Sequence, residues 1–311
     1  IGKNGRTLNA LNQLLKQVLY NEIGEKSMFV SNDWKEYKVL KASKGEKLEV
    51  WGKYTLLRPD PVVTWDMGPF DYSKINAKYN RSNKGGGYWE NLSSVPASWV
   101  ISYKDLKFNI KQMGFKHTGL FPEQAINWDF AREKTESSNK KEIKVLNLFA
   151  YTGALSVAML KSGAHVTHVD SSRGMIDWAK ENVKLNGLED KPIRFLVDDV
   201  LKFVKREIRR GNKYDAIIMD PPSYGRGANG EVWSLDENLE ELVKLTKEII
   251  KEDFLFYIVN TYSTNLPNVS LENILKINFP KSKILVDDLC LPIENSNLYL
   301  SCGITGRVEN E

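Results

Sequence analysis

Asn147-Leu148-Phe149-Ala150-Tyr151-Thr152-Gly153 closes an apolar run over residues 144–148 and opens a helical pattern. A strand that turns sharply into a helix is the first unit of an open α/β sheet, and such sheets bind ligands beyond the carboxyl ends of their strands. A dinucleotide needs several glycines at this turn, so that backbone and helix N-terminus can approach a pyrophosphate. Here a single glycine, Gly153, closes the turn, and Phe149 and Tyr151 would crowd a pyrophosphate. The heptamer therefore favours a phosphate-free nucleoside carrying a sulfonium, S-adenosylmethionine, over NAD. The competing reading is an ordinary βα turn with no ligand, since short motifs also match by chance.

The pattern repeats downstream. A helix over 154–161 stops at Ser162-Gly163, and a strand over 165–170 ends in Asp170, about 20 residues from the turn, where a carboxylate accepts from ribose hydroxyls. A helix over 175–185 ends at Asn186-Gly187, and a strand over 193–197 ends at Asp198-Asp199, either of which can take an adenine amino group. Any one strand-end Asp is more often a helix N-cap. Three consecutive units ending this way point to one site. The fourth strand, over 214–219, reads as buried on both faces and stops at Asp220-Pro221-Pro222-Ser223-Tyr224. Two prolines cannot continue the ladder and each restricts its predecessor, so the Asp220 carboxylate and Pro221 carbonyl are expected at the pocket mouth with little freedom. Fixed acceptors suit an incoming nucleophile in an in-line displacement. A rigid turn without catalytic duty is the alternative.

Together with Lys116-His117-Thr118-Gly119-Leu120-Phe121-Pro122-Glu123-Gln124, these motifs resemble class I S-adenosylmethionine-dependent methyltransferases, and more narrowly the bacterial large-subunit (23S) ribosomal RNA methyltransferases. The resemblance runs from about residue 33 to the end. It implies an α/β fold with a Rossmann-like seven-stranded methyltransferase sheet and a smaller N-terminal β-rich domain. It also implies that Phe121 and Gln124 border the cofactor, Asp170 holds the ribose, Asp199 the adenine, and Asp220 the acceptor. The expected cofactor set is Phe121, Gln124, Asn147, Phe149, Ala150, Tyr151, Thr152, Gly153, Asp170, Ser171, Asn186, Asp198 and Asp199, and the expected catalytic set is Asp220, Pro221, Pro222 and Tyr224.

Enzymes that make 5-methylcytosine need a cysteine thiolate to add to the ring. The only cysteines are Cys290 and Cys302, and the fifth strand ends Asn260-Thr261-Tyr262-Ser263-Thr264, where related cytosine enzymes carry a cysteine. Nitrogen is the expected acceptor, in RNA and most directly ribosomal RNA. Because Ser223 separates the prolines from Tyr224, unlike the amino-methylating pattern, the base stays open. An N-methyltransferase of a protein or small molecule, or a non-catalytic RNA-binding protein retaining the fold, are the alternatives.

Composition agrees with a soluble, cytoplasmic enzyme. The 311-residue chain carries a net charge of +4. Its apolar runs are strand-sized and no signal-peptide pattern opens it, so no membrane partner is expected. Two cysteines fit a reducing compartment, and no Cys/His spacing suggests a metal. Residues 71–116 hold eight basic side chains (Lys74, Lys78, Arg81, Lys84, Lys104, Lys107, Lys111, Lys116) against three acids, interleaved with Tyr72, Tyr79, Tyr88, Trp89, Trp99, Tyr103 and Phe108. That mixture suits phosphate contact and base stacking, although core aromatics and solvated lysines give the same pattern. A stripe of Lys202, Lys205, Arg206, Arg209 and Arg210 has the spacing of a solvent-facing helix.

Residues 1–30 read as a helical segment, with Gly2-Lys3-Asn4-Gly5 before a helix over 8–18 resembling the phosphate-clamping loop of KH RNA-binding domains. Residues 31–115 read as the small β-rich domain, with Trp34, Trp51, Trp65 and Trp99 building its core. Residues 116–311 read as the methyltransferase domain, with a polar loop at 135–140 ahead of the sheet.

Overall fold

The computed structural model describes residues 27–83, 85–226, 232–262 and 265–310. The Gly2-Lys3-Asn4-Gly5 turn and its following helix lie outside them. A two-residue strand, β1 (Phe29–Val30), is followed by a five-stranded sheet in sequence order: β2 (Tyr37–Ser43), β3 (Glu46–Trp51), β4 (Tyr54–Pro59), β5 (Ala77–Arg81) and β6 (Gly87–Asn91). A separate hairpin pairs β7 (Ser98–Tyr103) with β8 (Leu106–Lys111).

The α/β part begins with a 3-10 turn, Pro122–Gln124, running into α1 (Ala125–Glu136). Then follow β9 (Lys144–Leu148), α2 (Ala154–Lys161), β10 (His165–Asp170), α3 (Arg173–Leu185), β11 (Ile193–Val197), α4 (Val200–Arg210) and β12 (Ala216–Met219). A small hairpin, β13 (Tyr224–Arg226) with β14 (Val232–Ser234), precedes α5 (Leu235–Lys247), β15 (Phe256–Thr261), α6 (Asn268–Asn278), β16 (Lys283–Pro292) and β17 (Tyr299–Glu309). The large sheet has the order β1-β16-β17-β15-β12-β9-β10-β11, with β17 antiparallel to both neighbours.

The seven-stranded sheet expected from the sequence is thus present, and β1 lengthens it to eight by pairing in parallel with β16. The order places β9 between β10 and β12, so three expected site-bearing strands end side by side. Burial explains their composition. Every residue of β12 and β15 is buried, because helices cover both faces. Asp215 pins the opposite end: fully buried, it accepts from the Lys144 backbone N–H at 2.9 Å and from Lys140 and Lys251.

One expectation is overturned here. Thr135 and Glu136 are not loop but the last turn of α1, since Thr135 is buried and its hydroxyl donates to the Ala131 carbonyl at 2.8 Å. Trp34 and Trp51 are buried in a core cluster that continues without a break into the α/β part through Trp128, Val157 and Ile218, and Trp65 and Trp99 pack against it partly buried. The small sheet is therefore seated on the mouth of the large one. Among the described residues, no helix is long and apolar enough to cross a membrane.

Candidate active site

The turn after β9 adopts a conformation that its side chains resist. Phe149, Tyr151 and Gly153 all have left-handed φ, at 55°, 51° and 80°. Such backbone is uncommon outside glycine, and it concentrates at functional sites. It is held by the Asp170 carboxylate, which accepts from the Tyr151 N–H at 2.9 Å through one oxygen and from the Ser172 N–H at 2.8 Å through the other. Each oxygen keeps a second lone pair. Burial raises the Asp170 pKa against those two hydrogen bonds. From below, the Thr152 hydroxyl donates to the Gly119 carbonyl at 2.5 Å. Gly119 itself has no room for a side chain, since a Cβ would stand 2.1 Å from the Trp178 ring at a φ of +93°.

Two connected hollows lie at these strand ends. The inner one, of about 60 Å³, is lined by Phe121, Gln124, Asn147, Phe149, Ala150, Tyr151, Thr152, Gly153 and Asp220 among others. The outer cleft, of about 630 Å³, lies between the strand ends and the small sheet, within the range of small-molecule sites. Phe121, Phe149, Tyr151, Asp170, Ser171, Asp220, Pro221 and Pro222 form one wall. Lys47, Arg58, Lys116 and His117 form the other. Arg58 is tied to the buried Glu49 by bonds of 2.6 and 2.8 Å, and burial with neighbouring cations keeps His117 neutral, its pKa at about 3.

Asp220 is the unusual group. Its Oδ1 is buried without a hydrogen-bond partner, and its Oδ2 accepts from the Tyr262 hydroxyl at 3.5 Å. Burial, then the charge of Glu123, pushes its pKa up to about 7. A lone buried acceptor is unfavourable unless a donor reaches it. Aromatic rings at Phe121, Phe149 and Tyr151 beside the strand-end carboxylates Asp170 and Asp220 together fit an adenosine-type cofactor.

Four expected residues stand elsewhere. Asn186 caps α3 and joins it to β8, accepting from the Lys107 N–H at 2.9 Å and donating to the Lys107 carbonyl at 2.8 Å. Asp198 pairs with Arg206. Asp199 is the N-cap of α4, accepting from the Lys202 N–H at 2.8 Å. Tyr224 lies on the β13–β14 hairpin with 57% of its surface exposed. None of the four lines either hollow. The residues that sequence reasoning missed are Tyr262, which follows β15, and Glu123, whose burial raises its pKa on the cleft wall.

The charge excess of residues 71–116 is also compensated in part. Lys74, Lys78, Lys104 and Lys111 pair with Asp71, Glu46, Asp129 and Glu181. Tyr79, Tyr103 and Phe108 are core residues. The region builds β5 and β6 of the small sheet and the β7–β8 hairpin.

A family model described as S-adenosylmethionine-dependent methyltransferase matches residues 75–276, well over half of the chain. The chain belongs to that family. A SAM-dependent methyltransferase from Agrobacterium tumefaciens superposes with a TM-score of 0.87 at 31% identity, covering 92% of this chain and 94% of that one. A second structure, SMU.776 complexed with SAH, has a TM-score of 0.69 at 21% identity over 95% of this chain and 79% of its own, a likeness of fold. Ribosomal RNA large subunit methyltransferase K/L of Shewanella frigidimarina is 27% identical over 223 residues, 71% of this chain but 30% of that protein, so the chain spans under a third of this relative's length. Ribosomal RNA large subunit methyltransferase K of Neisseria meningitidis is 25% identical over 255 residues, 78% of this chain and 70% of the relative. S-adenosylmethionine is accordingly the methyl donor of this enzyme.

Proposed function

We propose that this methyltransferase modifies a nucleobase nitrogen of RNA, ribosomal RNA in particular, with Asp220 facing the acceptor. The observation that carries the reading is the buried, unpartnered Oδ1 of Asp220, a residue that lines both hollows. When bound, S-adenosylmethionine supplies an electrophilic methyl group. Asp170 offers its free lone pairs to the ribose, while Phe121 and Tyr151, whose rings lie 5.3 Å apart, shield the nucleoside from water. Asp220 Oδ1 accepts an N–H of the acceptor and orients the nitrogen lone pair. With a pKa of about 7 it can hold at that oxygen a proton that the acceptor sheds. The two prolines after it limit its motion, so the orientation is fixed before the acceptor arrives.

Carbon methylation through a covalent adduct lacks its nucleophile. Cys302 lines the outer cleft, but burial and Glu123 hold its thiol far above the range in which a thiolate forms, and the sequence Asn260 to Thr264 that ends the fifth strand carries no cysteine. The RNA acceptor is supported by the names of the relatives, both large-subunit ribosomal RNA methyltransferases. Methyl-labelled S-adenosylmethionine offered with unmodified large-subunit RNA and, separately, with a protein extract tests the reading. An N-methylated nucleoside after RNA digestion is expected. Label in protein alone would transfer the assignment to a protein N-methyltransferase, and binding of the cofactor with no labelled product would favour a non-catalytic role.

A further inference from the structure

The buried polar side chains behind the inner hollow have only one consistent set of donor directions. Arg307 can only donate. It is sandwiched between the rings of Phe29 and Phe130, 4.2 and 4.3 Å from their centroids, and gives two hydrogen bonds of 3.0 and 2.9 Å to Asn127 Oδ1. That fixes the Asn127 amide, whose Nδ2 donates to Gln124 Oε1 at 2.9 Å. Gln124 Oε1 also accepts from Asn260 Nδ2 at 3.3 Å, so its Nε2 must face the other way, and it donates to the Tyr262 hydroxyl at 2.7 Å. With its oxygen so engaged, the phenol's one proton is left to point at Asp220 Oδ2, 3.5 Å away. Gly303 keeps this arrangement possible, since a Cβ there would come within 2.9 Å of the Tyr262 ring and 2.7 Å of the Thr261 carbonyl.

We propose that Asp220 is positioned for methyl transfer by a one-way chain of donors running from Arg307 through Asn127 and Gln124 to Tyr262, with Tyr262 the positioning residue in contact with it. The proposal rests on the reading of Asp220 as the group facing the acceptor. The chain occupies Oδ2 from behind and leaves Oδ1 for the incoming N–H. It also explains how Arg307 persists buried, its pKa lowered to about 9 by desolvation: its charge is spent polarising neutral amides toward a carboxylate. Gln124 is then placed as a link to Asp220 in addition to its position on the cofactor hollow.

Tyr262→Phe removes the last donor and keeps the ring. The other charged groups lining the cleft with Asp220 are Glu123, Asp170 on β10, and Lys47, Arg58, Asp60 and Lys116, all unchanged in this variant. Titration of the ¹³C-labelled Asp220 carboxyl by NMR should therefore move upward from about 7, because the Tyr262 hydrogen bond lowers that pKa. In methyl transfer to RNA, turnover should fall about tenfold, as for one lost hydrogen bond, with the acid limb of the rate profile shifted to higher pH and S-adenosylmethionine affinity within about twofold. Gln124→Met, which frees the hydroxyl to rotate, should move the carboxyl titration the same way by less, and it serves if Tyr262→Phe does not fold. An Asp220 titration unchanged in both variants would overturn the relay, as would equal losses in turnover and cofactor affinity. If the wild-type enzyme labels no RNA, the acceptor reading fails, and the carboxyl titration still decides the relay.

Discussion

Replacing Asp220 by Asn should make the protein more stable while abolishing most of its activity, with a pH dependence that can be calculated. A solvated aspartate titrates at 3.8, and in the folded chain Asp220 titrates at about 7. The folded state therefore holds a proton that the unfolded state releases, and the stability from this group is fully present below 3.8 and lost as pH rises to about 7. At 1.36 kcal/mol for each tenfold change in proton affinity, the loss between pH 5 and pH 8 is about 2–3 kcal/mol. The Asn variant has no such proton to lose. Its stability relative to wild type, from urea unfolding at both pH values, should improve by about that amount at pH 8 compared with pH 5, or by several degrees in melting temperature. An advantage that is equal at the two pH values, or reversed, would refute the claim that this carboxylate is ionised against its surroundings.

Other perturbations separate binding from positioning. Asp170→Ala should weaken S-adenosylmethionine binding about tenfold or more, measured by calorimetry, with a smaller effect on turnover at saturating donor, because a charged hydrogen-bond acceptor is lost. Asp199→Ala removes the α4 cap and should lower stability by about 1 kcal/mol in urea unfolding; only if Asp199 also reaches the adenine will donor affinity fall with it. Gly119→Ala forces a methyl into the Trp178 ring and should destabilise by about 3 kcal/mol, read in the same assay. Glu49→Gln leaves Arg58 buried without its partner and should cost about 3–5 kcal/mol, closing the cleft to both ligands as the small sheet loosens.

The large sheet was legible because its signal is repeated and local. The strands Lys144–Leu148, His165–Asp170 and Ile193–Val197 fall where the apolar runs and their terminal carboxylates place them. Strand β17 runs to Glu309 through the buried Arg307, and a charged residue inside a strand breaks the apolar pattern that would reveal its full length. Helix α1 was missed for a similar reason: its buried face includes the polar residues Asn127 and Thr135, and Asn127 is satisfied in part by Asn260, Thr305 and Arg307, which only the fold brings to it. Local sequence gives the turn, Asp170 and the Asp220 prolines. It cannot give Tyr262, whose significance lies in contacts with Gln124 and Asp220, 138 and 42 residues away. The basic, aromatic stretch before residue 116 is partly balanced by Glu46, Asp129 and Glu181, acids that sit outside it and that its own composition does not show.

A crystal structure with S-adenosylhomocysteine bound tests the account most directly. It should show the ribose hydroxyls on Asp170, the nucleoside between Phe121 and the Phe149–Tyr151 turn, and the sulfur directed at a gap bordered by Asp220 Oδ1. A nucleoside seated away from Asp170, or a sulfur facing away from Asp220, would contradict it.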